Sequence, residues 1–213
     1  MSRSEIEANA ADAEGAPRPG TSVLAALVRL LTAKGLITRE RLRRTVESIE
    51  MASAAFPAGR IVAKAWADSA FKQRLLADGN AAARELSIEA SNANAPTKLV
   101  VVANEPDVHN LVVCTLCSCY PVSLLGPSPS WYKSRSYRAR AVRRPRELLR
   151  EFGLDLPKGV TVRVHDSTAD LRYFVLPERP EGTDGWSEEQ LKALATRDSL
   201  VGVALPKPIS AGA

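Results

Sequence analysis

Cys114, Cys117 and Cys119 are the chain's only cysteines, and all three fall in the six-residue segment Cys114-Thr115-Leu116-Cys117-Ser118-Cys119. Thiols crowded this closely act together: they bind one metal ion, oxidise one another, or staple a local loop. The rest of the composition narrows the choice. A closed structural zinc site takes four nitrogen or sulfur donors, yet beyond the three thiols the chain offers only His109 and His165. Iron–sulfur clusters ordinarily use a fourth cysteine. An odd thiol count in a chain of 213 residues does not suit the disulfide framework of a small secreted domain. Met1 to Gly20 is Ala-rich and acidic with no apolar core of a signal peptide, so a reducing, cytoplasmic compartment is expected. Thiolate–metal chemistry is the reading these exclusions favour.

Cys117-Ser118-Cys119 adds a constraint. Cysteines separated by one residue cannot both reach an ion without bringing the intervening backbone against it. The amides of Ser118 and Cys119 thereby become candidate nitrogen ligands. Two amide nitrogens and two thiolates would make a square plane with the Cys114 sulfur axial, leaving a sixth position open. Displacing amide protons takes a strongly Lewis-acidic ion, which favours trivalent cobalt or iron over zinc or magnesium. An open position is what a catalytic metal needs to hold water or polarise a substrate.

With the claw goes a string of further motifs. His109-Asn110-Leu111-Val112-Val113 leads into it and Tyr120-Pro121 follows. Trp131-Tyr132-Lys133, Tyr137-Arg138-Ala139-Arg140, Arg172-Tyr173, Val175-Leu176-Pro177 and Gly182-Thr183-Asp184-Gly185-Trp186 lie downstream. Upstream stands Arg60-Ile61-Val62-Ala63-Lys64-Ala65-Trp66, with Asp68 and Phe71. In this ordered string the chain resembles the nitrile hydratase alpha subunit from about Thr21 to Pro206. The resemblance implies that Cys114, Cys117 and Cys119 give sulfur ligands and that Ser118 and Cys119 give amide nitrogens. It also implies oxidation of Cys117 to a sulfinic acid and of Cys119 to a sulfenic acid, both rungs of the cysteine oxidation ladder. Thr115 matches the family's cobalt members, whereas its iron members carry serine there, so Co(III) is expected with Fe(III) as the alternative. The implied reaction adds water to a nitrile to give an amide, with Cys117, Ser118 and Cys119 at its centre. The implied partners are a beta subunit of one or two chains, with Arg172, Tyr137 and Arg138 at the interface, and a metallochaperone or activator.

One residue departs from the pattern. Many relatives place Trp after the Tyr-Pro pair, whereas this chain has Val122, so the expected substrate pocket has room for a bulky or heteroaromatic nitrile unless a partner residue fills it. Thiocyanate hydrolase, a related cobalt enzyme, is the neighbouring alternative. A non-catalytic interaction protein that keeps a metal claw is the alternative from another class.

The elements that must position this chemistry read as α+β: a helical arm, then a layered α/β catalytic domain carrying the claw. Residues 1–20 read as a disordered tail, 21–93 as the arm and 94–213 as the metal-binding domain. Leu24, Leu27, Val28 and Leu31 recur at helical spacing before the stop at Gly35. Thr38 can cap a helix with Leu42, Val46 and Ile49 on one face. A short helix is expected from about Arg60, then one capped by Asp68 with Phe71 and Leu75 inward. The thin arm is expected to complete its core on another chain. Strands are expected at Lys98–Ala103, Leu111–Val113, Thr161–Val164, Leu171–Leu176 and Leu200–Ala204. Helices are expected at Ser130–Arg143, at Arg146–Phe152 and, opened by the Ser187/Gln190 capping box, through Ala195. His109 reads as structural or as a support behind the ligands, and His165 as exposed. Trp66, Trp131 and Trp186 read as core or interface anchors. The arginines between Lys133 and Arg150 could suggest nucleic acid, but acidic residues nearly balance them and the formal charge is +5. A partner-facing surface is therefore expected, with no nucleic acid, and no stretch has the apolar length of a membrane span.

Overall fold

A computed structural model describes residues 20–38, 40–42, 56–91 and 96–207. Its centre is β2 (Val108–Val113), in which all six residues are buried. Such a run has no solvent face and fits a strand covered on both sides. β2 pairs in parallel with β3 (Thr161–Asp166), from Val108 opposite Thr161 to Val113 opposite Asp166. A second parallel pair joins β1 (Lys98–Ala103) to β4 (Leu171–Leu176). Both β1 and β4 match their expected bounds. β2 begins three residues earlier than expected, and β3 runs two residues further.

Helices cover these sheets. α1 (Gly20–Ala33) ends before Gly35, whose φ of +69° provides the expected stop. The Thr38 hydroxyl accepts from Arg41 N at 3.0 Å, as a cap does, while Val46 and Ile49 lie outside the described residues. α2 (Pro57–Ala67) starts at proline, whose missing N–H costs nothing in a first turn. α3 (Ser69–Ala77) and α4 (Gly79–Glu85) are capped by Asp68 and Asp78. The expectation that these helices complete their core on another chain does not hold for α2–α4. Ile61, Val62, Phe71, Leu75 and Ala83 belong to the same buried cluster as the strands. α2 packs on α9 (Glu188–Leu194), and Trp66 Nε1 donates to Pro177 O at 2.8 Å. The Ser187/Gln190 capping box that opens α9 is present. Among the described residues no helix is long and apolar enough to cross a membrane.

Two expectations are corrected. The helix read over Ser130–Arg143 is broken at Ser134 into α6 (Ser130–Lys133) and α7 (Arg135–Arg143), after the short α5 (Val122–Leu125). Ser134 is extended and accepts from Tyr137 N at 3.1 Å, so its hydroxyl restarts the helix where continuity was expected. α8 (Pro145–Glu151) follows. The strand read over Leu200–Ala204 is instead α10 (Arg197–Val201). There Thr196 and Ser199 form a second capping box, and local capping outweighs the β-rich composition of Leu200, Val201 and Val203.

A buried polar chain ties α10 to the strands. The His165 Nε2–H donates to Asn110 Oδ1 at 2.8 Å, and Asn110 Nδ2 donates to Asn104 Oδ1 at 3.0 Å and to Ala103 O at 2.7 Å. Asn104 Nδ2 then donates to His109 Nδ1 at 3.3 Å, and His109 Nε2–H to Gly202 O at 2.7 Å. Carbonyl acceptors fix these roles, so both imidazoles carry a proton on Nε2, and His109, whose Nδ1 accepts, is neutral. His109 is structural, as expected, whereas His165 is half-buried and stacked at 5.0 Å on Tyr173 rather than exposed.

Gly202 sits at φ +88°, where a Cβ would lie 2.0 Å from Asn110 O. Gly202→Ala is therefore expected to lower stability by about 3 kcal/mol, from backbone strain and steric overlap together, as read from the denaturant midpoint. Burial lowers the His109 pKa below its ordinary 6.5, and His165 shifts the same way for the same first cause. The unfolded chain thus binds more protons in that window. The stability is present above about pH 6.5 and is lost as pH falls towards the folded values. Urea unfolding at about pH 7.5 and about pH 5.5, either side of the ordinary histidine pKa, should show this loss, smaller in His109→Gln.

Candidate metal centre

β2 delivers the claw directly: Val113 is its last residue and Cys114 the next, fully buried. Cys117 is exposed and Cys119 half-buried, and all three are free thiols. Cys114 Sγ lies 3.5 Å from Cys117 Sγ, which lies 3.2 Å from Cys119 Sγ. All three sulfurs fall within 4.8 Å of one another. Metal–sulfur bonds of about 2.3 Å place two sulfurs at right angles about 3.3 Å apart, so this donor set fits a single ion. Ser118 is exposed between the two sulfurs, where its amide and that of Cys119 are the expected nitrogen donors.

The thiols differ electrostatically. Hydrogen bonds from the Cys119 and Cys114 thiols favour the Cys117 thiolate and bring its pKa down to about 7. Burial, followed by the bond with Cys117, pushes Cys119 up to about 12, against an opposing pull from the Arg172 guanidinium. Without an ion, the exposed Cys117 ionises before Cys119.

Side chains that sequence reasoning did not assign to the loop hold it in place. Asp166, which ends β3 opposite Val113, accepts from Thr115 N at 2.8 Å and from Thr115 Oγ1 at 2.5 Å. Thr115 O in turn accepts from Arg138 Nη1 at 3.3 Å. At the far end Tyr132 Oη–H donates to Cys119 O at 2.9 Å. Underneath lies an aromatic floor: Trp131 stands 4.9 Å from Tyr137 and 4.8 Å from Phe152, both edge-on. Trp131 is thus a core anchor, as is Trp66, while Trp186 packs partly buried against the same core.

Of the residues expected at a partner interface, Tyr137 is buried, its hydroxyl donating to Val112 O at 2.7 Å. Arg138 is half-buried above it. The half-buried Arg172 donates to the carbonyls of Thr168, Ala169 and Leu171, within electrostatic reach of Cys119. Val122, three residues past the claw, opens α5 and is 42% exposed. Arg135, Arg138, Arg143, Ala139 and Val142 line a cavity of about 370 Å³ that opens beside Thr115.

The sequence profile described as "Nitrile hydratase, alpha chain" matches residues 20–204. The chain is 46% identical over 193 residues to the low-molecular weight cobalt-containing nitrile hydratase subunit alpha of Rhodococcus rhodochrous, covering 89% of this chain and 92% of that one. It is 50% identical over 161 residues to the thiocyanate hydrolase subunit gamma of Thiobacillus thioparus, covering 71% of this chain and 66% of that one. Among solved structures, a double mutant of the Fe-type nitrile hydratase of Comamonas testosteroni superposes with a TM-score of 0.82 at 40% identity, over 93% of this chain and 100% of the other. Because the profile extends from the first described helix past α10, with the converging thiols in between, this chain belongs to the nitrile hydratase alpha-chain family.

Proposed function

We propose that this chain is the metal-carrying subunit of an enzyme that adds water to a nitrile to give the amide. The convergence of three thiol sulfurs in one loop carries the proposal. The Cys114, Cys117 and Cys119 sulfurs and the amides of Ser118 and Cys119 would hold a cobalt ion, with iron as the alternative. When bound, a Co(III) ion would supply Lewis acidity towards water or the nitrile. Thr115 supports cobalt, as do the printed names of cobalt-containing relatives. With dioxygen as the oxidant, Cys117 would be carried to a sulfinic acid and Cys119 to a sulfenic acid. The Cys119 oxygen then either takes a proton from water or attacks the nitrile carbon.

The chain's own surface supports a partner. Leu116, in the middle of the claw, is 83% exposed, and Val142 beside the arginine cavity is 53% exposed. A site that leaves a leucine in water beside the reacting sulfurs is half a site. A beta subunit of one or two chains covers it, meeting Arg138 and Arg172 while Tyr137 supports that face from beneath, and an activator protein assists loading. A second reading, thiocyanate hydrolysis, has the arginine cavity in its favour. Three guanidinium groups on the Thr115 side of the claw would attract an anionic substrate.

Metal analysis of the purified chain, alone and with its partner, should find about one cobalt per chain, consistent with the preference of thiolate donors for such ions. Stoichiometric zinc in active protein, with no cobalt or iron, is the result that rejects this. Replacing Cys114, Cys117 or Cys119 by Ser should abolish both metal and turnover, because a hydroxyl is a poor substitute for thiolate. Full metal content in Cys117→Ser would show that the ligand plane is misassigned.

Val122 sets the substrate size in this reading. Bulky aromatic nitriles should be hydrated at least as well as small aliphatic ones. Val122→Trp should then penalise the bulky ones, since overpacking of this kind costs about 1–3 kcal/mol. The relative kcat/KM should shift by roughly ten-fold or more. Equal losses for large and small nitriles would assign the pocket wall to the partner.

A further inference from the structure

Among the described residues, hydrogen bonds from the rest of the chain reach the claw at its two ends. Thr115 is tied three ways, to both carboxylate oxygens of Asp166 and to Arg138. Cys119 is tied once, through its carbonyl, to the Tyr132 hydroxyl at 2.9 Å. The bond at the Cys114 end is cross-braced, and the bond at the Cys119 end is single.

That single tie comes from a rigid seat. Tyr132 is 0% exposed. Its ring stands edge-on to Tyr120 at 5.0 Å and to Trp131 at 6.0 Å, and lies 5.5 Å from Tyr137. The break at Ser134 lets α6 and α7 each turn a tyrosine inward, one donating to Cys119 O and the other to Val112 O. Facing a carbonyl oxygen, which can only accept, the phenol hydroxyl is the donor of this bond. Two residues past Cys119, Pro121 further restricts the exit backbone through its fixed φ. With the carbonyl held and the exit stiffened, little freedom remains about the Cys119 Cα, which carries both the thiol and the amide nitrogen.

We propose that Tyr132 is a positioning residue of the metal centre: its hydroxyl bond to the Cys119 carbonyl aims the Cys119 sulfur and amide nitrogen at the ion. This rests on the metal-claw reading above. Groups that orient ligands from behind typically change metal affinity by about 10–100-fold when lost. Tyr132→Phe removes one oxygen and keeps the ring in its seat. Thr183→Val is the control, since it deletes a buried hydroxyl–carbonyl bond, to Pro180 O at 2.7 Å, between residues that belong neither to the claw nor to its supports.

The experiment uses the whole chain loaded with cobalt, in three forms: unaltered, Tyr132→Phe and Thr183→Val. Cobalt retention against a competing chelator and the sulfur-to-cobalt charge-transfer absorption are measured on each. Tyr132→Phe should release cobalt about 10-fold more readily and shift the band, with Thr183→Val within about two-fold of the unaltered chain. The proposal is overturned if Tyr132→Phe matches the unaltered chain in both readouts, or if the two variants change alike, which would make the bond general scaffolding. An unaltered chain that takes up neither cobalt nor iron, alone or produced together with its partner and activator, would overturn the metal-claw reading itself, and this inference with it.

Discussion

Parallel pairing of β2 with β3 brings the claw and its carboxylate clamp to the same place. Because Val113 lies opposite Asp166, the two strands end together. One continues into Cys114, and the other presents a carboxylate to the N–H and hydroxyl of Thr115. A slip of one residue would reverse which face each β3 side chain occupies and carry Asp166 away from Thr115. The claw's geometry is therefore a consequence of strand register. That register is specified because β2, buried along its whole length, cannot shift without exposing an apolar side chain or burying an unpaired polar one.

The polar residues inside β2 follow the same logic. His109 and Asn110 are buried in a strand otherwise made of Val and Leu, and an unpaired amide or imidazole there would cost a large part of a small domain's net stability. Their bonds run outward in both directions, to Asn104 and Gly202 on one side and to His165 on the other. The pair thus links β2 to β3, to the end of β1 and to α10. Gly202 completes the arrangement, because a side chain there would displace the strand carbonyl against which it packs.

The family and the convergence of its thiols were legible from the sequence, and so were the elements with a single strong signal. Cysteine spacing needs no tertiary information, and the β-rich runs of β1 and β4 and the Ser187 capping box were equally local. Asp166 was missed because β3 was expected to stop at Val164. A histidine and an aspartate following a Val-rich run read as its end, yet the pairing continues through them. Tyr132 was seen as part of a motif but not as a clamp, since its bond spans thirteen residues and depends on the break at Ser134. The Leu200–Ala204 error has the opposite origin. β-rich side chains suggested a strand, but four cap atoms and a positive-φ glycine decided the backbone.

What remains open on this surface has its own physical pattern. The claw is braced from below by aromatic rings and from one side by a carboxylate, and its upper side carries Leu116, Cys117 and Ser118 in solvent. The neighbouring α7 presents Arg135, Arg138 and Arg143 around Ala139 and Val142. A patch of apolar side chains ringed by arginine suits a protein interface, where arginine is enriched. Arg140 is spent on Glu151 within the chain, whereas Arg138 reaches the claw itself through Thr115. A partner that pairs with Arg138 would therefore pull on the same carbonyl that helps to hold the loop. In the proposed assembly, that one guanidinium would couple partner binding to the shape of the claw.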